Sequence, residues 1–375
     1  MTSVYSKRKI VFTMAIWGAG GMERVATYIA NGLYQLGWKP IFVIGKTTEL
    51  IMPFPQYARI YILNTYVTPS ERNLQSLASS LLSSRKLFTR VLQKENPDVI
   101  VSLDPYTAWL TFILGRRPTV FWFHSSIKQL FQQSKTWPIN KWLLRRLDAI
   151  VVLNNAMKEE CFEVFGQNIE SRIYVIPNPV TTQLGRSLYV PGSNIFVFVG
   201  RLSNRQKRLD RLFKALTLLT DPKWKLLIIG SGPDKKMLFQ LANILKINEH
   251  IEFLGWVADP WQEIAKRGGA EALVLSSDYE GFSLVLVEAM ANGLPCIAVD
   301  CPVGPNEIII NGINGLLVSL YHNEEKTIKA LASAIENVLS RKIVFDEKIV
   351  QASIQRFTLD KVLSDWNKLL KKLTN

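Results

Sequence analysis

Five ionisable side chains stand at spacings that suit work on an anionic substrate. Glu280 and Glu288 lie eight residues apart in SSDYEGFSLVLVEAMANGLP (276–295), Arg201 and Lys207 lie six apart in VGRLSNRQKRLDRLFKAL (199–216), and His124 follows VFWF. Two cations beside a helix start suit a diphosphate, because backbone N–H groups at a helix N-terminus also favour anionic oxygens. A merely solvated pair there would run against the helix dipole, which disfavours cations at that end. The two carboxylates invite comparison with the acid and base of a glycosidase, but eight residues across a turn and a helix start do not fix both on one bond.

The elements that must hold these residues are legible around them. Ala272 to Leu275 reads as a buried strand, SSDYEGF as the turn after it, and SLVLVEAMAN as a helix closed by Gly293 with Pro295 beyond. Asn194 to Val199 reads as a strand that ends at Gly200 and delivers Arg201, with Lys207 at the start of an amphipathic helix; Arg205 and Arg208 are expected at the surface. Trp224 to Gly230 is a further strand, and GSGPD places Gly230, Ser231 and Gly232 where backbone can pass close to a ligand. Near the N-terminus, Lys9 to Trp17 reads as a strand, Gly18 to Gly21 as a loop and Glu23 to Leu36 as a helix ended by Gly37. GAGGME is not a full G-x-G-x-x-G, and the next strand, Pro40 to Gly45, ends without the acidic residue that holds a ribose in NAD enzymes. A dehydrogenase is thereby rejected.

Strand-like segments continue through Asn96 to Leu103, Thr119 to Phe123, Ala149 to Asn154 and Ile173 to Pro179, with helix-like segments between them. Such alternation over 375 residues, 48% apolar and 20% charged, predicts an α/β chain of two domains, each with a helix-covered parallel sheet. Thr181 to Ser193, with Gly185, Pro191 and Gly192, lacks periodicity and reads as the linker.

EGFSLVLVEAMANGLPCIAV, with GPNEIIINGINGLLV after it, resembles the E-x7-E region of the retaining glycosyltransferases of family 4. That resemblance implies the GT-B fold, two Rossmann-like domains facing a central cleft: residues 1–180 binding the acceptor, 181–355 binding the nucleotide sugar, and a helix in 356–375 crossing back to the first domain. It implies that Arg201 and Lys207 hold the leaving diphosphate. Glu288 takes the ribose hydroxyls and Glu280 the donor sugar, while Phe282, Ser283 and Leu284 offer backbone N–H groups to the phosphates. Gly20 and Gly21 match a loop that touches the donor's phosphate and sugar, and His124 matches a histidine on the donor-sugar and acceptor side. In HIEFLGWV, Gly255 and Trp256 are candidates for the base contact, Trp256 serving equally well as packing or a lid. Within the family, this region and GWVADPW look most like the bacterial lipopolysaccharide 1,6-galactosyltransferases, which implies a UDP-hexose, galactose favoured, as donor and a glycolipid or other cell-surface glycan as acceptor.

Charge and composition bear on partners. The net charge is +14, and residues 1–186 hold 22 basic against 11 acidic residues, or +11. Basic residues there alternate with aromatic and aliphatic ones, as in KQLFQQSKTWPINKWLLRR (128–146), a surface suited to peripheral contact with an anionic membrane or a phosphorylated glycan. The same pattern also fits a solvated basic face with buried stems. No helix-turn-helix, zinc-finger or RNA-binding signature accompanies the charge, so nucleic acid is not expected. Cys161, Cys296 and Cys301 form no C-x-x-C pair, which fits thiols in a reducing compartment. His250 and His322 match nothing and are expected at the surface. No apolar run reaches the ~20 residues of a membrane span, since Asp104, Arg116 and Arg117 interrupt the longest candidate. A cytoplasmic protein, peripheral at the inner face of the cell membrane, is the expectation.

The sequence has no D-x-D triplet of the kind that holds a divalent metal in many glycosyltransferases, so no metal is expected and Arg201, Lys207 and helix N–H groups must meet the charge of the leaving group. Retention of anomeric configuration follows from the resemblance. Two other classes stay open. A sugar-nucleotide epimerase of similar fold would need further acid and base residues that the sequence does not offer. A silent glycan-binding protein would have less need of His124, Arg201, Lys207, Glu280 and Glu288 together.

Overall fold

The computed structural model describes residues 8–375 apart from 50, 65–73, 115–116, 134–136 and 181–186. Arg116 and the start of the expected linker, Gly185 included, lie outside the described residues. The chain forms two compact units, residues 1–181 with 358–375 and residues 182–357.

The first unit is built on a seven-stranded parallel sheet: β1 (Lys9–Trp17), β2 (Lys39–Thr47), β3 (Arg59–Ile62), β4 (Val99–Ser102), β5 (Thr119–Trp122), β6 (Ala149–Val152) and β7 (Ile173–Val175). They lie in the order β3-β2-β1-β4-β5-β6-β7. The interior strands β4, β5 and β6 are buried along their whole length, as strands covered by helices on both faces must be. One face packs Val11, Ile41, Val43 and Ile100 against Phe88 and Val91 of the helix Leu74–Glu95 and Leu110 of the helix Pro105–Leu114. The other receives the C-terminal helix Leu359–Thr374, whose Val362, Leu363, Trp366, Leu369 and Leu370 recur at helical spacing and are buried. Trp366 meets Trp122 edge to face, and Trp38 donates its indole N–H to Asn367 at 3.0 Å. Gly32 of the helix Gly21–Gln35 is the seat for Leu363: any side chain there would overlap it.

The second unit holds a six-stranded parallel sheet: β8 (Ile195–Val199), β9 (Lys225–Ile229), β10 (Ile251–Gly255), β11 (Ala272–Leu275), β12 (Cys296–Asp300) and β13 (Gly315–Ser319). Their order, β10-β9-β8-β11-β12-β13, is the dinucleotide-binding order 3-2-1-4-5-6. The chain reverses direction of growth between β8 and β11, and a crevice forms at the carboxyl ends of such a pair. The helix Leu209–Leu216 covers this sheet with Leu209, Leu212, Phe213 and Leu216, and carries Asp210 and Lys214 on its other side.

Sequence reading placed most strands within a residue or two. It did not offer β3, a short strand with both faces partly exposed and no strong apolar pattern. The amphipathic helix after β8 also begins later than expected. Lys207 ends a one-turn helix, Asn204–Lys207; Arg208 then takes a left-handed conformation (φ 48°), and the longer helix starts at Leu209.

Candidate active site

Arg201 and Glu280 follow the two strands of the switch point in the second unit. Arg201 stands just beyond β8 and Glu280 in the turn after β11, so the two loops are neighbours although they are far apart in sequence. Hydrogen bonds lace them together: Asp278 N–H donates to the Gln206 carbonyl at 2.9 Å, and the Ser276 hydroxyl lies 2.9 Å from the carbonyls of both Lys207 and Arg208.

Across this seam Lys207 Nζ lies 2.6 Å from Glu280 Oε1, and Ser277 Oγ donates to the same oxygen at 2.6 Å. Sequence reasoning gave Lys207 and Glu280 separate partners; the fold makes them partners of each other. Arg201 is exposed, and no hydrogen bond or ion pair engages its guanidinium among the described residues. One cation is thus engaged and the other open.

Arg208 is not the surface residue expected. Its guanidinium reaches Asp210 at 3.0 Å, Asp278 at 2.9 Å and Glu324 at 2.6 Å, and the hydrogen bond to Asp210, with that to Asp278, holds its pKa above the usual value. Arg211, which sequence reasoning missed, is 1% exposed and binds Asp278 at 2.7 Å, both oxygens of Glu324 and the Ser276 carbonyl. Its hydrogen bonds keep the Glu324 carboxyl below the ordinary carboxylate range. Burial pushes Asp210 the other way, but the bond from Arg208 prevails and its pKa is lowered. Two arginines and three carboxylates therefore clamp the turn that presents Glu280. The only sequence signal was the charge density of RLDR, which reads equally as a solvated helix start. Arg205 is exposed, as expected.

The helix Leu284–Ala291 begins where the sequence indicated, with Ser283 as its N-cap in a left-handed conformation (φ 61°). The Ser283 hydroxyl is buried without a hydrogen-bond partner. Phe282 is buried and packs edge to face on Phe357, so its ring is structural and only its backbone is left for a ligand. Leu284 opens the helix, and Glu288, one turn on, is buried at 2% exposure. Gly304, in the loop after β12, walls the same place: a Cβ there would stand 3.2 Å from Ser283 Oγ and 3.3 Å from Glu280 Cβ.

Loop packing by itself requires glycine at positions 230 and 232. A Cβ on Gly230 (φ 140°) would overlap the Gly200 carbonyl, and one on Gly232 would meet Leu202. They bring the loop after β9 against the Arg201 loop, where Leu202 N–H donates to the Ser231 carbonyl at 2.9 Å. Gly255 accepts from Gly230 N–H at 2.7 Å, and the neighbouring Trp256 is 49% exposed. His250 is not a free surface residue: it stacks on Trp224, with Nδ1 3.1 Å from the Trp224 carbonyl. His322 is exposed.

In the first unit, Gly20 and Gly21 are exposed at the start of a helix, after β1. Glu23 folds back over this loop, accepting from Gly18 N–H at 3.0 Å, and a Cβ on Gly20 would lie 2.6 Å from its Oε2. The third position of the incomplete glycine motif is thus a carboxylate that clasps the loop. His124 follows β5 with its ring 4.4 Å from that of Trp122; its Nε2 is shut away from solvent without a partner, and burial lowers its pKa to about 3. The imidazole is neutral at ordinary pH. Asp104, after β4, accepts from Ala15 N–H at 2.7 Å and from Thr107, while burial raises its pKa.

Comparison with known proteins decides the family. Residues 19–184 match the family described as Glycosyltransferase Family 4, and residues 183–354 that described as Glycosyl transferases group 1. The chain belongs to the family 4 glycosyltransferases. Between them the two matches span nearly the whole of both sheets, and the enzyme has the GT-B architecture of two helix-covered parallel sheets. It is similar to the lipopolysaccharide 1,6-galactosyltransferase of Salmonella typhimurium, 28% identical over 72% of this chain and 73% of that protein. Among solved structures it resembles the apo form of the lipopolysaccharide outer core galactosyltransferase WaaB, with TM-score 0.77 and 24% identity over 97% of this chain and all of that one. It also resembles HepE of Anabaena in complex with UDP and glucose, with TM-score 0.72 and 18% identity over 98% of this chain and all of that one. The three buried cysteines are free, and no helix among the described residues is long and apolar enough to cross a membrane.

Proposed function

We propose that this glycosyltransferase moves a hexose, galactose in the favoured reading, from a UDP-sugar to a lipopolysaccharide core or similar cell-surface glycan, with retention and without a metal ion. The observation that carries the donor site is the placing of the loop after β8, with Arg201 and Lys207, beside the turn and helix after β11, with Glu280, Ser283 and Glu288, joined by the Lys207–Glu280 ion pair. Cations for a diphosphate and carboxylates for sugar and ribose hydroxyls meet at one switch point. HepE of Anabaena, of the same fold, holds UDP and glucose, and the Salmonella relative is named a galactosyltransferase, which supports a uridine nucleotide and a hexose.

In this reading Arg201 and Lys207 take the negative charge that builds on the departing diphosphate, the helix at Leu284 adds backbone N–H groups, and Glu288 takes the ribose. Lys207 must then turn from Glu280 to the phosphates as the donor enters, leaving Glu280 to hold a hydroxyl of the donor sugar. Gly20 and Gly21 contribute loop backbone, neutral His124 serves the donor-sugar and acceptor side, and Gly230, Gly232 and Gly255 bring loop backbone towards the donor. No D-x-D triplet is present, so protein cations replace a metal at the leaving group. The basic first unit selects a phosphorylated or lipid-carried acceptor, in peripheral contact with an anionic membrane.

A thermal-shift and product assay with UDP, GDP and ADP sugars, with EDTA in place of added metal, tests this. Stabilisation and turnover with UDP-galactose alone, lost in Lys207→Ala and Glu288→Ala, is expected. Binding of no sugar nucleotide would end the donor-site reading and favour a glycan-binding protein.

A further inference from the structure

The membrane contact just proposed rests on net charge; the structure carries a more specific surface. From Pro105 to Leu147 the chain has seven basic residues and not one Asp or Glu. Within that stretch the helix Trp137–Leu144 buries Asn140, Leu143 and Leu144 and turns the other way Ile139 (61% exposed) and Trp142 (46% exposed), three apart and so on one face. Trp142 is stacked on Trp109, with centroids 5.9 Å apart, and meets Phe112 edge to face; both belong to the helix Pro105–Leu114. That helix ends with Ile113 half exposed.

Cations rim this apolar knot. The Arg146 guanidinium lies 3.8 Å from the centroid of the Trp142 ring and donates to the Trp142 carbonyl at 3.0 Å. Arg145 is exposed and Lys141 half-buried. The two acidic residues that flank the stretch are occupied, Asp104 by Ala15 N–H and Thr107, and Asp148 by Thr119 N–H. An exposed indole with an arginine lying over it suits the boundary between lipid headgroups and acyl chains, the aromatic body facing inward and the guanidinium reaching phosphate. A partner protein would more often bury such a face against complementary carboxylates; the stretch 105–147 brings cations and apolar side chains and no carboxylate, which is what an anionic bilayer complements.

We infer that Ile139, Trp142, Arg145 and Arg146 form the docking surface by which this enzyme sits on an anionic lipid bilayer. The inference extends the lipid-carried acceptor of the proposed function but needs no donor to test it. The full chain is sedimented with vesicles of phosphatidylglycerol and phosphatidylcholine, and with vesicles of phosphatidylcholine alone, at low and high salt. Binding to the anionic vesicles that salt weakens is expected. Arg145→Gln with Arg146→Gln should lower the partition coefficient about 30-fold, a factor of about five for each cation near the surface. Ile139→Ser tests the apolar share with a residue too exposed to matter for folding, and should lower partition severalfold.

Thermal melts, and the shift produced by UDP in the same variants, separate this surface from the donor site and should be unchanged. Absence of binding to anionic vesicles, or binding that the variants leave intact, overturns the inference. So does loss of transfer to a soluble, delipidated acceptor, which would make the patch an acceptor-glycan site instead.

Discussion

Lys207 Nζ and Glu280 Oε1 are 2.6 Å apart, with side chains 12% and 6% exposed, although 73 residues separate them in the chain. On the proposed reading, the cation that would take the diphosphate is held, before the donor arrives, by the carboxylate that would take the donor's sugar. This keeps both nearly buried charges compensated, since an unpaired buried charge is costly. It also makes the two residues competitors for one contact.

The competition predicts effects of opposite sign. Glu280→Gln releases Lys207, so UDP should bind about tenfold tighter, or ~1.4 kcal/mol, while the transfer rate falls because the sugar has lost its carboxylate. Lys207→Ala should lower kcat/KM about 100-fold, the loss of ~3 kcal/mol of charge stabilisation in the transition state. Calorimetric titration with UDP and initial rates with UDP-galactose check both; weaker UDP binding by Glu280→Gln would rule out the competition.

Arg211 fixes the turn that presents Glu280. Arg211→Ala leaves Asp278 and Glu324 with Arg208 alone, and breaking a buried cluster in this way costs ~3 kcal/mol. A melting temperature about 6–12 °C lower is expected. Arg211→Lys keeps the charge but cannot form the fork to both carboxylates, and should recover stability only in part. Melts and donor KM, measured together, show whether the loosened turn also weakens the donor site.

Ser283 holds a left-handed backbone (φ 61°) with a buried hydroxyl that has no partner, a combination that costs stability unless a ligand uses it. Ser283→Gly removes the steric penalty and should raise stability by ~1 kcal/mol. If the hydroxyl meets the donor, UDP-sugar affinity should fall about fivefold in the same variant, roughly the value of one hydrogen bond. A rise in melting temperature with unchanged affinity would make Ser283 purely structural.

His124 gives a pH dependence whose sign is fixed. Burial lowers its pKa from 6.5 to about 3 in the folded chain, so between those values the unfolded chain binds more protons than the folded one. Stability from this group is therefore lost as pH falls below 6.5, with a slope approaching ~1.4 kcal/mol per pH unit, and levels off near pH 3. His124→Gln should flatten the denaturation midpoint against pH by that amount over this window. The pH–rate profile should show no limb near 6.5 that His124→Gln removes, because the imidazole is already neutral there.

The sequence by itself determined the local pieces. Ala272–Leu275 is read from its apolar run, Leu284–Ala291 from its periodicity and from Gly293, and the alternation of such pieces dictates parallel sheets under helices. Arg201, Glu280 and Glu288 were legible because each sits at the end or start of an element whose boundary residues are themselves visible. What joins them was decided only in three dimensions. The strand order sets β8 beside β11, and only then do residues 201–211 meet 276–280 and 324, so the Lys207–Glu280 pair, the Arg208–Arg211 clamp and the wall at Gly304 have no signature in any local window. The glycines show the same division. Gly230 and Gly232 stand out in sequence as flexible backbone for a ligand, yet their neighbours are Gly200 and Leu202, because sheet packing brings two loops closer than any side chain allows. Periodicity reports what a residue faces; it does not report which distant residue faces it, and the chemistry of this site depends on the second.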